Sequence, residues 1–241
     1  MANGIYAALS GALNNMRQIE LVSHNLANAS TPAFKVDRMA VEGVAPPANA
    51  NGELTFAMPA VTQTDLSQGP LVATENPMDI ALAEGTYLAV SDGGKTAYMR
   101  GATLNAMPDG TLTTIEGYAV YGDEDVIKIP PGAGEIRIGE NGDVVVDGSR
   151  IDRLRLVSFG NEQGLQPGGA RTLVDPGGTG AAPTAATAPV MVGYQEKANV
   201  SMIKQMTDMI AAHRLYDVTM NAIRTHGQIE QKAAREIAGR F

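Results

Sequence analysis

The side chains that could do chemistry are few and scattered. Three histidines, His24, His213 and His226, stand far apart with no second histidine at metal-ligand spacing. His213 falls on a helical apolar stripe and is expected to be a packed histidine. The acidic run Asp123-Glu124-Asp125 follows Gly122 but lacks the alternating ligands and inner glycine of a calcium loop, so it reads as a solvated turn. Gly132-Ala133-Gly134 has neither a lysine nor a following helix with which to hold a phosphate. The absence of cysteine removes thiol nucleophiles, thiolate ligands and disulfides. No serine, histidine and aspartate share a spacing that marks a triad. The chain is therefore expected to be no enzyme, with no catalytic residue, cofactor or metal, and its function should be carried by surfaces.

Composition narrows the partners. A formal charge of −8, with no cluster of Lys and Arg to offset it, would repel phosphate backbones, so nucleic acid is not expected as a partner. No apolar run reaches the roughly 18 to 20 residues that cross a bilayer, and the first residues lack a basic region followed by an apolar core. Membrane insertion and Sec export are accordingly not expected. With 44% apolar residues the chain can bury a core, while 27 glycines, 13 prolines and no tryptophan favour turns and strands over an aromatic-lined pocket.

Two elements must present those surfaces. From about Asn3, a candidate N-cap, to Ala29, the residues Ile5, Leu9, Ala12, Met16, Ile19 and Leu26 recur in steps of four and three, close to a heptad seam. From about Asn199 to Ile237, Met202, Met206, Met209, His213, Tyr216, Met220 and Ile223 repeat the alternation. Either stripe could be the core of a monomer; each could equally pair the two ends or join neighbouring copies. Between them the period falls to two and turn dipeptides recur at Asn51-Gly52, Asp92-Gly93, Asp109-Gly110 and Asn141-Gly142. Strands are expected at Tyr87–Val90, Ala97–Arg100, Thr111–Thr114, Tyr118–Tyr121, Glu135–Ile138, Asp143–Val146 and Arg153–Phe159. Gly43–Gly52 and Asp175–Pro189 have linker composition. The expected fold is α+β: N- and C-terminal helices paired as a coiled-coil-like stem, with an inserted antiparallel β-rich domain. Its segments would be a first helix and signature (1–42), an extended linker (43–75), the β-rich domain (76–175), a Gly/Pro/Ala linker (176–190) and the last helix (191–241).

The stretch Ser23-His24-Asn25-Leu26-Ala27-Asn28-Ala29-Ser30-Thr31-Pro32-Ala33-Phe34-Lys35 resembles the N-terminal signature of the flagellar rod and hook proteins. His24 stands where that family usually has Asn, and Ala33 where it usually has Gly, a residue that accepts a left-handed backbone more readily than alanine. Ile5-Tyr6-Ala7-Ala8-Leu9-Ser10-Gly11-Ala12 is similar to the family's start, and Gly193-Tyr194-Gln195-Glu196-Lys197-Ala198-Asn199-Val200 to its approach to the last helix. In the middle, Gln68-Gly69-Pro70-Leu71, Asn76-Pro77-Met78-Asp79-Ile80-Ala81-Leu82 and Tyr98-Met99-Arg100-Gly101 resemble its β domain.

The resemblance implies a structural subunit of the flagellar basal-body rod that crosses the periplasm. It would leave the cell through the flagellar export apparatus without a cleaved signal, and polymerise with copies of itself and neighbouring rod proteins. The chain's length favours a proximal-rod subunit; a distal-rod subunit is the alternative within the family. From another class, a β-rich cell-wall-binding module on a helical oligomerisation stem remains open, and a carboxylate hydrolase ranks far below. The interface residues would be those of the two stripes together with Asn25, Asn28 and Phe34. The two asparagines would cap the helix end or contact a neighbour, either through an exposed amide. Phe34 and Lys35 would anchor the connector on a neighbouring subunit.

Overall fold

A computed structural model of the protein describes residues 2–40, 61–169, 171–175 and 183–238. Helix α1 spans Ala2–Ala27 and helix α2 spans Met202–Ala238, both close to the periodic stretches of the sequence. Asn3 is already helical, so it does not cap α1. The described residues fall into two units. One comprises 2–29, 37–40, 61–65 and 200–238; the other comprises 30–36, 66–169, 171–175 and 183–199.

In the helical unit α1 packs on α2, and a short antiparallel pair, Asp37–Ala40 with Val61–Thr64, adjoins α1. Part of this pair therefore lies in the stretch whose composition suggests an extended linker. The linker-like Gly43–Gly52 and its Asn51-Gly52 turn lie outside the described residues.

The β unit is antiparallel throughout its described strand pairs. Its largest sheet runs Gln166–Gly169, Thr172–Val174, Lys95–Met99, Thr86–Asp92, Ala119–Val120, Leu112–Thr114, Gly101–Ala106, Asp79–Leu82, Val190–Val192. Leu156–Ser158 also pairs with Thr86–Asp92. The central strand is buried on both faces: Leu88 and Val90 belong to one apolar cluster, with Ile80, Met99, Leu112 and Val120, while Tyr87 and Ala89 belong to another. In the second cluster the Phe159 ring meets Tyr87 and Tyr98 edge-on, at centroid distances of 5.5 and 4.8 Å. Burial on both sides explains why Thr86–Asp92 reads as a nearly continuous apolar run rather than an alternation.

The expected strands are recovered apart from Arg153–Phe159, which is two strands, Ser149–Arg153 and Leu156–Ser158. The break falls where buried Leu154 turns its amide to the Gly142 carbonyl at 2.8 Å. The turn joining Asp143–Val146 to Ser149–Arg153 is Asp147-Gly148, with φ of 50° and 82°, a dipeptide of the kind the hairpin rule favours. Asp147 is fixed there by the amides of Gly134 and Glu135, which hold its carboxyl below the usual carboxylate range.

Candidate functional site: helix faces and a buried ionic cluster

The two helices meet through small and polar side chains. Among the described side chains, Ala12, Asn15, Val22 and Asn25 are the buried positions of α1, and Gln205 and Ala212 those of α2. Asn15 Nδ2 donates to Thr219 Oγ1 at 3.3 Å, and a Cβ on Gly11 would already lie 3.9 Å from the Thr219 methyl group. Small residues of this kind let helix backbones approach closely, and the hydrogen bond satisfies a polar pair that the approach desolvates.

The larger apolar residues lie outside this contact. On α1, Leu9, Leu13 and Met16 are exposed; on α2, Met202, Ile203, Met206, Ile210, Leu215 and Val218 are exposed. Ile203 at 80% and Val218 at 64% leave most of their surface to solvent. Ile210, Leu215 and Val218 line a shallow apolar groove on α2 with Thr207, Ala211 and Arg214.

The expected stripes are thus divided between two faces. Ala12 lies in the intrachain contact; Ile19, Leu26, Met209, Tyr216, Met220 and Ile223 are half-buried; Leu9, Met16, Met202 and Met206 are exposed. His213 is exposed too, so it is not the packed histidine expected from its place on the stripe; its neighbour Ala212 takes the buried position. The side chain of Ile5 lies outside the described residues.

The signature segment folds back on its own chain. Asn25 is buried, and its amide pairs with the Asp37 backbone in both directions: Nδ2 donates to the carbonyl at 2.8 Å and Oδ1 accepts from the amide at 3.0 Å. It has no exposed amide of the kind expected. Asn28 Nδ2 donates to the His24 carbonyl at 2.9 Å, and the same carbonyl accepts from the Asn28 amide at 3.2 Å, so Asn28 closes the helix end through side chain and backbone together. His24 Nδ1 lies 3.7 Å from Asp37 Oδ2, whose other oxygen accepts from Thr64 Oγ1 at 2.7 Å. Ala33 holds φ at 54°, the left-handed backbone that its glycine counterparts adopt more readily.

Phe34 is half-buried, and Lys35 is buried, so the Lys35 side chain is not the expected anchor on a neighbour. Lys35 Nζ donates to Glu196 Oε1 and to the Ser67 carbonyl, the latter at 2.7 Å. The same Glu196 oxygen accepts from the Gly69 amide at 2.8 Å, and Glu196 Oε2 faces Arg100 Nε at 3.8 Å. Arg100 stands over the Tyr87 ring, 5.3 Å from its centroid. Gly69 is obligatory: a Cβ there would lie 2.1 Å from the Lys197 carbonyl oxygen. Around this cluster the Ala33 amide donates to the Glu196 carbonyl at 2.8 Å, the Val36 amide to Asn199 Oδ1 at 2.7 Å, and the Lys197 amide to the Pro70 carbonyl at 2.9 Å. Residues from separate parts of the sequence, Lys35, Gly69, Arg100 and Glu196, meet at one point.

Sequence reading did not single out this cluster. Its signal lay in four short segments, each with a charged residue or an indispensable glycine, whose spacing along the chain says nothing of their meeting. The acidic run proves tethered: Arg155 Nη2 donates to the carbonyls of Asp123 and Glu124 at 2.8 and 3.0 Å, while the three carboxylate side chains stay exposed. Among the described residues no group of three or more His, Asp and Glu is placed to hold a metal, and no helix is long and apolar enough to cross a membrane.

The described residues thus comprise a closed β unit and two helices that leave large apolar side chains in solvent. Residues 191–236 match the family model described as flagellar basal body rod FlgEFG protein C-terminal, and residues 83–146 match that of the flagellar hook protein FlgE/F/G D1 domain. The chain is 30% identical to the flagellar basal-body rod protein FlgF of Salmonella typhimurium, with 97% of each chain covered. It belongs to the flagellar basal-body rod protein family. The FlgF of Escherichia coli K12 is also 30% identical, over 92% of this chain and 93% of the relative, and the FlgG of Agrobacterium fabrum 27%, over 95% and 97%. This rod protein is a structural subunit of the flagellar basal body and not an enzyme.

Proposed function

We propose that this rod protein is a proximal-rod subunit that polymerises through the outward faces of its terminal helices into the axial drive shaft. The observation that supports this most directly is the division of the helix faces. A lone subunit leaves Leu9, Leu13 and Met16 on α1 and Ile203, Ile210, Leu215 and Val218 on α2 in water, and burying one such side chain is worth about 1.5–3 kcal/mol. Partners with the same faces, copies of this chain or neighbouring rod proteins, would bury both sets, and α1 with α2 would form a coiled-coil-like stem in the assembled layer. A repeated head-to-tail contact of this type builds a helical tube rather than a closed ring. The expected interface set, Ile5, Leu9, Ala12, Met16, Ile19, Asn25, Leu26, Asn28, Phe34, Met202, Met206, Met209, His213, Tyr216, Met220 and Ile223, divides within this scheme. Leu9, Met16, Met202, Met206 and His213 would face other subunits, while Asn25 and Asn28 hold the helix end in shape.

The proximal position is supported by the two relatives at 30% identity, both named FlgF, whereas the relative named FlgG of Agrobacterium fabrum reaches 27%. Delivery through the flagellar export apparatus, with no membrane insertion, completes the reading.

The test replaces Ile210 and Leu215 together by glutamate. The purified monomer should keep the parent's circular dichroism, whereas cells carrying the variant should stop swimming and yield basal bodies with truncated rods in electron micrographs. Normal rods would refute assembly through this face, and crosslinks confined to distal neighbours would refute the proximal position.

A further inference from the structure

We infer that the ionic cluster of Lys35, Glu196 and Arg100 is a latch that makes pairing of α1 with α2 depend on a folded β unit. Lys35 and Glu196 are 161 residues apart in sequence and almost wholly buried, at 7% and 1% exposure. Lys35 lies in the segment 30–36 that the chain enters on leaving α1, one residue before Val36, and Glu196 lies three before Asn199, after which the chain enters α2. Val36 and Asn199 are themselves hydrogen bonded, and Asn199 Nδ2 also reaches the Ser67 carbonyl at 3.1 Å. The segment 30–36, which follows α1, and the segment that precedes α2 are therefore fastened to each other within the β unit.

Loop closure gives this fastening its consequence. Two helices at the ends of an open insertion of this length must find each other against a closure entropy that grows with the logarithm of the intervening chain. With the two segments fastened, from the Ala33 amide on the Glu196 carbonyl to the Val36 amide on Asn199, only the short stretches between Ala27 and Ala33 and between Asn199 and Met202 separate the helices, which raises the effective concentration of one for the other. Glu196 suits the task because one carboxylate oxygen takes both the Lys35 ammonium and the Gly69 amide, joining three segments at a single acceptor. Arg100 supplies a second cation from the sheet, so the carboxylate is held even when Lys35 is absent.

That asymmetry defines the experiment. Lys35→Met removes the link from the first connector but leaves Glu196 and Arg100 as a charge-balanced pair, so the β unit should stay folded. Asn199→Ala cuts the outer fastening without touching the buried charges. Hydrogen exchange on each purified full-length variant, read by mass spectrometry, should show amides of Thr86–Asp92 and Lys95–Met99 protected as in the parent, with amides of α1 and α2 exchanging on the order of 10- to 100-fold faster. The Lys35→Met effect should be the larger. Helices that exchange at the parent rate would overturn the latch, and so would acceleration of helices and sheet by one common factor, which would make the cluster an ordinary contributor to global stability.

Discussion

The β unit and the helical unit treat their apolar side chains in opposite ways. In the β unit Leu88, Val90, Met99 and Leu112 are fully enclosed, and Lys35, Glu196 and Arg100 enter the interior as a paired cluster. In the helical unit the buried helix positions include Ala12, Asn15, Val22 and Ala212, while Leu9, Leu13, Met16, Ile203, Met206 and Ile210 face solvent. The first is the economy of a self-sufficient fold. The second is that of a part whose surroundings are other subunits, and it means that equal substitutions should have unequal effects in the two regions.

The largest effect is expected where the β unit encloses charge. Glu196→Ala leaves Lys35 and Arg100 buried without their counter-ion, which should cost about 3–5 kcal/mol. Urea denaturation followed by near-ultraviolet circular dichroism should register it. A change below about 1 kcal/mol would mean that solvent reaches the cluster and that the enclosed-charge half of the comparison is wrong.

Next comes a matched pair. Leu88→Ala, at a site with no exposure, should cost about 2–5 kcal/mol, whereas Ile203→Ala at 80% exposure should stay within about 0.5 kcal/mol for the monomer. The ranking should invert for swimming: mild loss of stability aside, Ile203→Ala should impair rod assembly although the isolated chain is unharmed. Equal thermal destabilisation by the two variants would dissolve the contrast between the units.

The same contrast explains what the sequence made legible. Helix positions followed from the 3.6 period and most strands from apolar runs between Gly-containing turns, because local periodicity records burial against something. It does not record what that something is. The stripes picked out the most hydrophobic residues, Leu9, Met16 and Met206, whereas the intrachain contact selects small and hydrogen-bonding ones, Asn15, Ala212 and Thr219, one position away at alternate steps. Reading the period was sound, and it left open whether the stripes meet each other or other subunits. The cluster at Glu196 was illegible for another reason: its members are joined only by tertiary closure, and nothing at position 35 announces position 196. Asn25 lies between these cases. Its place at a helix end was clear, yet its burial depended on the Asp37 backbone folding back to meet it.

Asn25→Ala would strand the Asp37 amide and carbonyl, a loss of about 1–3 kcal/mol for unsatisfied buried groups. This should fall on the helical unit alone, as faster exchange of the last turns of α1 with the sheet unchanged; a sheet that loosens equally would contradict the division into units. Alkaline pH should act on the other side. Burial, and after it the Glu162 carboxylate, raise the Tyr87 hydroxyl above the phenol value of 10.0, and burial followed by Asp175 raises that of Tyr98. The stability tied to these neutral hydroxyls is complete below about pH 10, where the unfolded tyrosines begin to ionise, and declines as pH rises toward the higher folded values. The urea midpoint of the β unit should therefore fall more steeply above pH 10 in the parent than in the double variant Tyr87→Phe, Tyr98→Phe, and parallel curves would remove these two rings as the cause.

The smallest effect is expected at Ala33, where the signature passes from one unit to the other. A non-glycine residue at φ 54° carries the steric penalty of the left-handed region, in which Cβ crowds the following carbonyl, about 1–2 kcal/mol. Glycine removes that penalty but adds freedom to the unfolded chain, roughly 0.5–1 kcal/mol in the opposite sense. The balance favours Ala33→Gly by about 0.5–1 kcal/mol, with the gain confined to the β unit, because Ala33 donates its amide to the Glu196 carbonyl there. A rise of that size in the urea midpoint, with helix exchange rates unaltered or slowed, would fit a backbone held left-handed by the fastening around Glu196. A loss of stability would show instead that the Ala33 methyl group contributes contacts worth more than the strain it introduces.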